Sequence, residues 1–189
     1  MGAIAQNCVN GWHADGDTWA QHSSVSLVGG YGRKGRLQFN SLSGGQLITD
    51  LTLRLYKEDT NGSGTLRLYV TTNPNLLPSQ YASAQYIGEL PQYGSGTGWK
   101  TLTVPASMFE ALSQFTGTWY LILECSISLT FTSYGTNACS LNGNYTDGSM
   151  YYSDGGVMKI STPYYSDAGV MKLCTAYDSD GGAMKQGLA

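Results

Sequence analysis

Residues able to do chemistry are few and far apart in this chain. Only two histidines occur, His13 and His22, both near the N-terminus. No G-x-S-x-G elbow and no H-E-x-x-H pair is present. Glu124 stands in an apolar run, TWYLILECSISLTFTS. Burial there raises a carboxyl pKa, but a single glutamate in a strand is more often paired or solvent-facing. General acid–base work needs a positioned pair, and the scattered carboxylates supply none. The chain is therefore read as non-enzymatic, with no catalytic residue.

Metal chemistry fares little better. Cys8, Cys125, Cys139 and Cys174 form no C-x-x-C pair and have no close histidine, which argues against zinc. A Cys125–Cys139 bridge in an oxidising compartment and free thiols in a reducing one are both open. The stretch DTNGSG, Asp59 to Gly64, begins like a calcium loop, but Val70 stands where the bidentate glutamate belongs. DSDGG, Asp178 to Gly182, sets two carboxylates two apart, and its sister copies carry Tyr in place of Asp178. Turn chemistry is the preferred reading of both, so no metal ligand and no cofactor is assigned. A structural calcium held by loop carbonyls stays open.

Aromatic side chains are the abundant resource: four Trp and 14 Tyr. Sugars are held by aromatic faces flanked by amides and hydroxyls. Trp119 and Tyr120, neighbours in a long strand, are expected to divide between core and surface. Loop aromatics are the better candidates for glycan contact: Tyr93 and Trp99 in LPQYGSGTGW, and Tyr134 and Tyr145 in SYGTNACSLNGNY.

The last 39 residues repeat with a period of 13: YYSDGGVMKISTP, YYSDAGVMKLCTA and YDSDGGAMKQGLA. Each copy predicts a strand, a Ser-Asp-Gly/Ala-Gly turn and a return strand. One hairpin cannot bury a face alone, and these copies lack the large aliphatic residues of an independent core. They are expected to lean on the rest of the chain, on a second copy, or on another protein. Tyr and Met favour interfaces. The candidate assembly residues are Tyr151, Tyr152, Met158, Tyr164, Tyr165, Met171, Tyr177 and Met184. Lys159, Lys172 and Lys185 alternate with turn aspartates and suit pairing with a copy of the same stripe.

The elements that must position these residues are strands. Charged residues are 12% of the chain, about half the usual share, against 41% hydrophobic and 25 glycines. Leu51, Leu53 and Leu55 alternate with polar residues, as do Leu66, Leu68 and Val70, with KEDTNGSG as the hairpin loop between them. Further strands are predicted at 18–28, 36–40, 86–90, 100–104 and 149–153. Residues 118–133 predict a long strand broken near Glu124 to Ser128, and 105–114 a short helix opened by Pro105. The expectation is an all-β jelly-roll sandwich over 1–148, followed by a C-terminal β-hairpin repeat over 149–189.

Net charge is −3 and Arg33, Lys34 and Arg36 make the only basic cluster, so nucleic acid is not expected as a partner. No stretch is long and apolar enough to span a membrane. The N-terminal MGAIAQNCVNGWHADGD lacks a secretory signal. With Met1 as the start, this predicts synthesis in the cytoplasm.

The order DGDTWAQHSSVSLVGGYG, RKGRLQFNSLSGG, ITDLTLRLYK, GWKTLTVPASM and TWYLILECSISLTFTSYG resembles DNRLRE-type jelly-roll domains over about residues 15–135. More loosely it is similar to carbohydrate-binding modules of the β-sandwich kind. Tyr134 stands where that family often has an acidic residue. The resemblance implies a domain that binds or spaces, as on bacterial surface proteins and in phage structural proteins. With the terminal repeat, it leads to a virion component: a phage head-decoration, fibre or tail-tip subunit. Such a subunit would be made in a host cytoplasm and would partner itself or another virion or surface protein. The alternative is a glycan-binding module or adhesin on a cell or virion surface.

Overall fold

The computed structural model describes residues 2–40, 42, 47–113, 115, 117–146, 150–154, 157–161, 164–167, 170–173, 177–180 and 183–186; beyond Thr146 it describes backbone. The chain divides into two compact units, Met1–Tyr145 and Thr146–Ala189.

The first unit is all-β, built from two antiparallel sheets. The strands are β1 (Gly2–Asn7), β2 (Asn10–Asp15), β3 (Thr18–Gln21), β4 (Ser24–Leu27), β5 (Gly35–Phe39) and β6 (Leu47–Lys57). They continue with β7 (Leu66–Thr71), β8 (Gln85–Leu90), β9 (Gly98–Thr103), β10 (Trp119–Cys125), β11 (Leu129–Thr132) and β12 (Ser140–Thr146). In the first sheet β6 is the hub, paired with β9, β11 and β12, while β4 borders β11 and β1 borders β12. The second sheet runs β3-β2-β5-β10-β7-β8.

Period-two alternation sets the core. Leu51, Leu53 and Leu55 of β6 share it with Leu66, Leu68 and Val70 of β7, Leu37 and Phe39 of β5, and Leu121 and Leu123 of β10. Trp119 lies between two rings, 5.2 Å from Phe39 and 5.0 Å from Phe115. Its indole N–H donates to the Asn40 carbonyl at 2.7 Å, so the buried polar group is satisfied. Strand β10 ends at Cys125 and β11 starts at Leu129, the break expected there.

Two expectations are corrected. The hairpin through KEDTNGSG does not form, because β6 lies in the first sheet and β7 in the second. The single strand over 18–28 is two strands in different sheets, β3 and β4. The chain crosses between sheets at His22 and Ser23, whose carbonyls face the Ser133 hydroxyl at 2.9 and 3.0 Å. Gly11 makes room for this crossing, since a Cβ on it would meet the Ser133 Oγ at 2.2 Å. The short helix expected after Pro105 is present: a 3-10 turn, Ala106–Met108, runs into α1 (Phe109–Ser113). The polar, Gly- and Asn-containing segments of β1, β2 and β12 are strands that the sequence pattern does not announce.

Cys8, Cys125 and Cys139 are buried free thiols, and burial pushes Cys8 up to about 12 and Cys125 to about 11. Cys174 lies outside the described residues.

In the second unit, β13 (Met150–Asp154) pairs with β14 (Val157–Ser161). Then β15 (Tyr164–Asp167) pairs with β16 (Val170–Leu173), and β17 (Tyr177–Asp180) with β18 (Ala183–Gln186). Each 13-residue copy thus carries one two-stranded antiparallel ladder, with Ser153 opposite Met158, Ser166 opposite Met171 and Ser179 opposite Met184.

Candidate functional site

The outer face of the second sheet gathers most of the polar and aromatic groups that a ligand could use. Strand register lays them out in rows. One row runs Asn10, Gln38, Tyr120, Thr71; the next runs Gln21, Trp12, Arg36, Ile122, Tyr69, Tyr86. These positions share a face because alternate residues of a strand point the same way. Their neighbours Leu37, Leu121 and Val70 face the core.

A strap formed by residues 72–84 crosses this face. Leu76 and Ala84 pack on Ile122, with Trp19, Tyr69 and Tyr81 around them. The Trp19 indole N–H donates to the Leu76 carbonyl at 2.6 Å, and the Ser79 N–H donates to Asp17 Oδ1 at 2.8 Å. At this end a cleft of about 370 Å³ opens between Asp17, Arg33, Lys34 and Ser79.

Under the strap sit two charges. Arg36, 6% exposed, stands 4.4 Å from the Trp12 ring centre and 4.9 Å from those of Trp19 and Tyr120. One guanidinium nitrogen donates to the Pro74 carbonyl at 3.0 Å, while Nε is buried without an acceptor. Burial pulls its pKa below the ordinary arginine value. Glu124, 1% exposed, accepts from the Tyr69 hydroxyl at 3.1 Å and lies 3.4 Å from Lys34 Nζ, an ion-pair distance without hydrogen-bond geometry. Burial, and then this carboxylate, push the Tyr69 phenol up to about 12. Glu124 is thus paired on a covered face.

Where the strap ends, a row of amides stays open. The Gln21 amide donates to Asn10 Oδ1 at 2.9 Å, and the Asn10 amide donates to Gln38 Oε1 at 3.0 Å. Beside them Trp12 is half-buried and meets Tyr120 edge-on at 6.1 Å.

The four glycan candidates are not brought together. Trp99 is on β9, not on a loop, and is 40% exposed on the outer face of the first sheet. There Arg54 lies 4.0 Å over its ring and Tyr56 meets it edge-on at 5.5 Å. Tyr93 is a correction: it is 2% exposed, its hydroxyl donates to the Ile127 carbonyl, and it offers no face to a sugar. Tyr134 is half-buried in the loop after β11. Tyr145 stands near the end of β12 opposite Gly2 and packs on the core. The candidate assembly residues Tyr151, Tyr152, Met158, Tyr164, Tyr165, Met171, Tyr177 and Met184 lie on the tail ladders, and their side chains fall outside the described structure.

The calcium-like loop is filled by a protein cation. Lys57, fully buried, sits 3.1 Å from Asp59 Oδ1 and donates to the Asn61 carbonyl at 2.5 Å. Asp59 also accepts the Asn61 N–H at 2.8 Å and the Thr130 N–H. Its carboxylate is therefore committed to closing the turn. Among the described residues, His, Cys, Asp and Glu nowhere gather in threes as a metal site would need.

Sequence reasoning passed over Asn10, Trp12, Gln21 and Gln38, took Arg36 only as part of a basic cluster, and expected Trp119 and Tyr120 to divide between core and surface, whereas both are buried. The available signal was parity, N-x-W in β2 and R-x-Q in β5, each alternating with a core-facing residue. No protein-family model matches the chain, and no curated protein matches it in sequence. No helix among the described residues is long and apolar enough to cross a membrane.

Proposed function

We propose that the chain is a non-enzymatic structural and assembly protein, of the class of phage head-decoration, fibre or tail-tip subunits. It joins a virion by docking its C-terminal repeat on itself or on another particle protein. The observation that carries this reading is the tail: among the described residues, three ladders of two strands each. A two-stranded ladder is marginal in water, and its outer edges present unpaired backbone groups. Covering by a neighbouring subunit satisfies both needs. The resemblance to DNRLRE-type jelly-roll domains supports the same class. Light scattering after size exclusion tests it. The full chain is expected to be an oligomer, and a chain ending at Thr146 a monomer. If both are monomers at high concentration, self-assembly through the tail is lost and only docking on a different protein is left.

A second reading is contact with glycans, which such a subunit, or a surface adhesin, could use on its target. It is favoured by Trp99, a large indole left 40% exposed beside Arg54 and Tyr56. A glycan array on the full chain tests it, with loss of signal in Trp99→Ala placing contact on the first sheet.

A further inference from the structure

Arg36 is a buried cation without a counter-charge. The three ion pairs among the described residues, Lys34–Glu124, Lys57–Asp59 and Arg67–Glu89, do not include it. Burying an unpaired charge is costly, and the aromatic rings around it offset only part of that cost. Its Nε is the one buried donor on this face with no acceptor among the described residues.

The open amide row borders this cation. Gln21, Asn10 and Gln38 are tied into a relay in one direction, so each is held in place before any ligand arrives. Gln38 keeps its amide N–H groups, and Gln21 its carbonyl, for a partner. Pre-organised amides of both polarities match vicinal hydroxyls, which both donate and accept. Trp12 lies opposite Gln21 and Arg36 in the ladders, with its indole beside the relay. A sugar ring needs such a face for its C–H groups. A neutral sugar would leave the positive charge of Arg36 uncompensated; an acidic one would not.

From this we infer a binding site for an acidic saccharide on the outer face of the second sheet. Its hydroxyls meet the Gln21–Asn10–Gln38 relay, its ring lies against Trp12, and its carboxylate is drawn by Arg36. The inference rests on the glycan reading above and moves the site away from Trp99.

The test is titration of the full chain with uronate- and sialate-containing oligosaccharides, their carboxyl-reduced counterparts, and oligoglutamate. The acidic saccharides are expected to bind about tenfold more tightly than the reduced ones, and less tightly as salt is raised. Gln38→Ala and Asn10→Ala should weaken binding by about 5–10-fold each, the loss of one or two hydrogen bonds. Trp99→Ala should leave it unchanged. Arg36→Gln should erase the preference for the acid; where its melting point falls too low to assay, the amide variants and the reduced saccharides decide. Equal binding of acidic and reduced forms overturns the acidic site and leaves the glycan reading standing. So does loss of binding in Trp99→Ala with none in Gln38→Ala. Binding of oligoglutamate alone replaces the saccharide with an acidic peptide. No saccharide bound at all sinks both the site and the reading.

Discussion

Lys57 and Arg36 are both buried cations, and the fold treats them in opposite ways. Lys57 is enclosed by oxygen: a carboxylate from Asp59 and a carbonyl from Asn61, in a loop that also closes on Thr130. Arg36 is enclosed by carbon: two indoles and a phenol, with one carbonyl and one donor left over. The first arrangement is self-contained and belongs to structure. The second is incomplete on its own, and it borders the open amides rather than the interior of a turn. Burial alone therefore does not tell a structural charge from a binding one; the inventory of partners does.

Substitution to methionine separates the two. Lys57→Met keeps the volume but strands the Asp59 carboxylate, and is expected to cost about 3 kcal/mol in denaturant unfolding. Arg36→Met strands no carboxylate, so its cost should stay below about 1.5 kcal/mol, mainly the lost cation–π contacts. Equal losses would erase the contrast.

His13 offers a third, smaller case: a cation that the fold discourages. Burial, then the charges of His22 and Arg33, lower its pKa from 6.5, and its ring stacks on His22 at 4.4 Å. The unfolded chain therefore takes up this proton at a higher pH than the folded one. The His13 contribution is complete above about pH 6.5 and is lost as pH falls below it. Melting temperatures at pH 7.5 and 5.5 should show a drop that His13→Asn reduces; an unchanged drop assigns it to other groups.

Much of this was legible in the sequence, and some was not. Strands β6 and β7 follow from leucines at every second place, and the break after Cys125 from Ser126 to Ser128; that β6 and β7 part into different sheets does not follow from alternation, which marks a buried face but not the partner. Even Lys57 shares the parity of Leu51, Leu53 and Leu55, so its burial was written in the pattern. The strands β1, β2 and β12 were not visible, because GAIAQN, NGWHAD and SLNGNYT are rich in Gly and Asn, and cross-strand partners rather than propensity make them strands. The site was hidden for a different reason. Arg36 and Ile122 become covered only when residues 72–84 fold across the sheet, a non-local event that no short window encodes. Tyr93 misled because a glycine-rich context suggested a loop tip, whereas its hydroxyl anchors the Ile127 carbonyl inside.

The ladder that sets Gly2 opposite Tyr145 has an engineering meaning. The first and last strands of the body are neighbours, so its ends leave side by side from one strand pair. A short linker can join them and a new opening can be cut in the bend at Ser95 or Thr97, both exposed, giving a circular permutant with every strand pairing kept. The same adjacency suits the body to insertion into a surface loop of an unrelated host protein, a cassette that displays its amide-lined face without disturbing the scaffold that carries it.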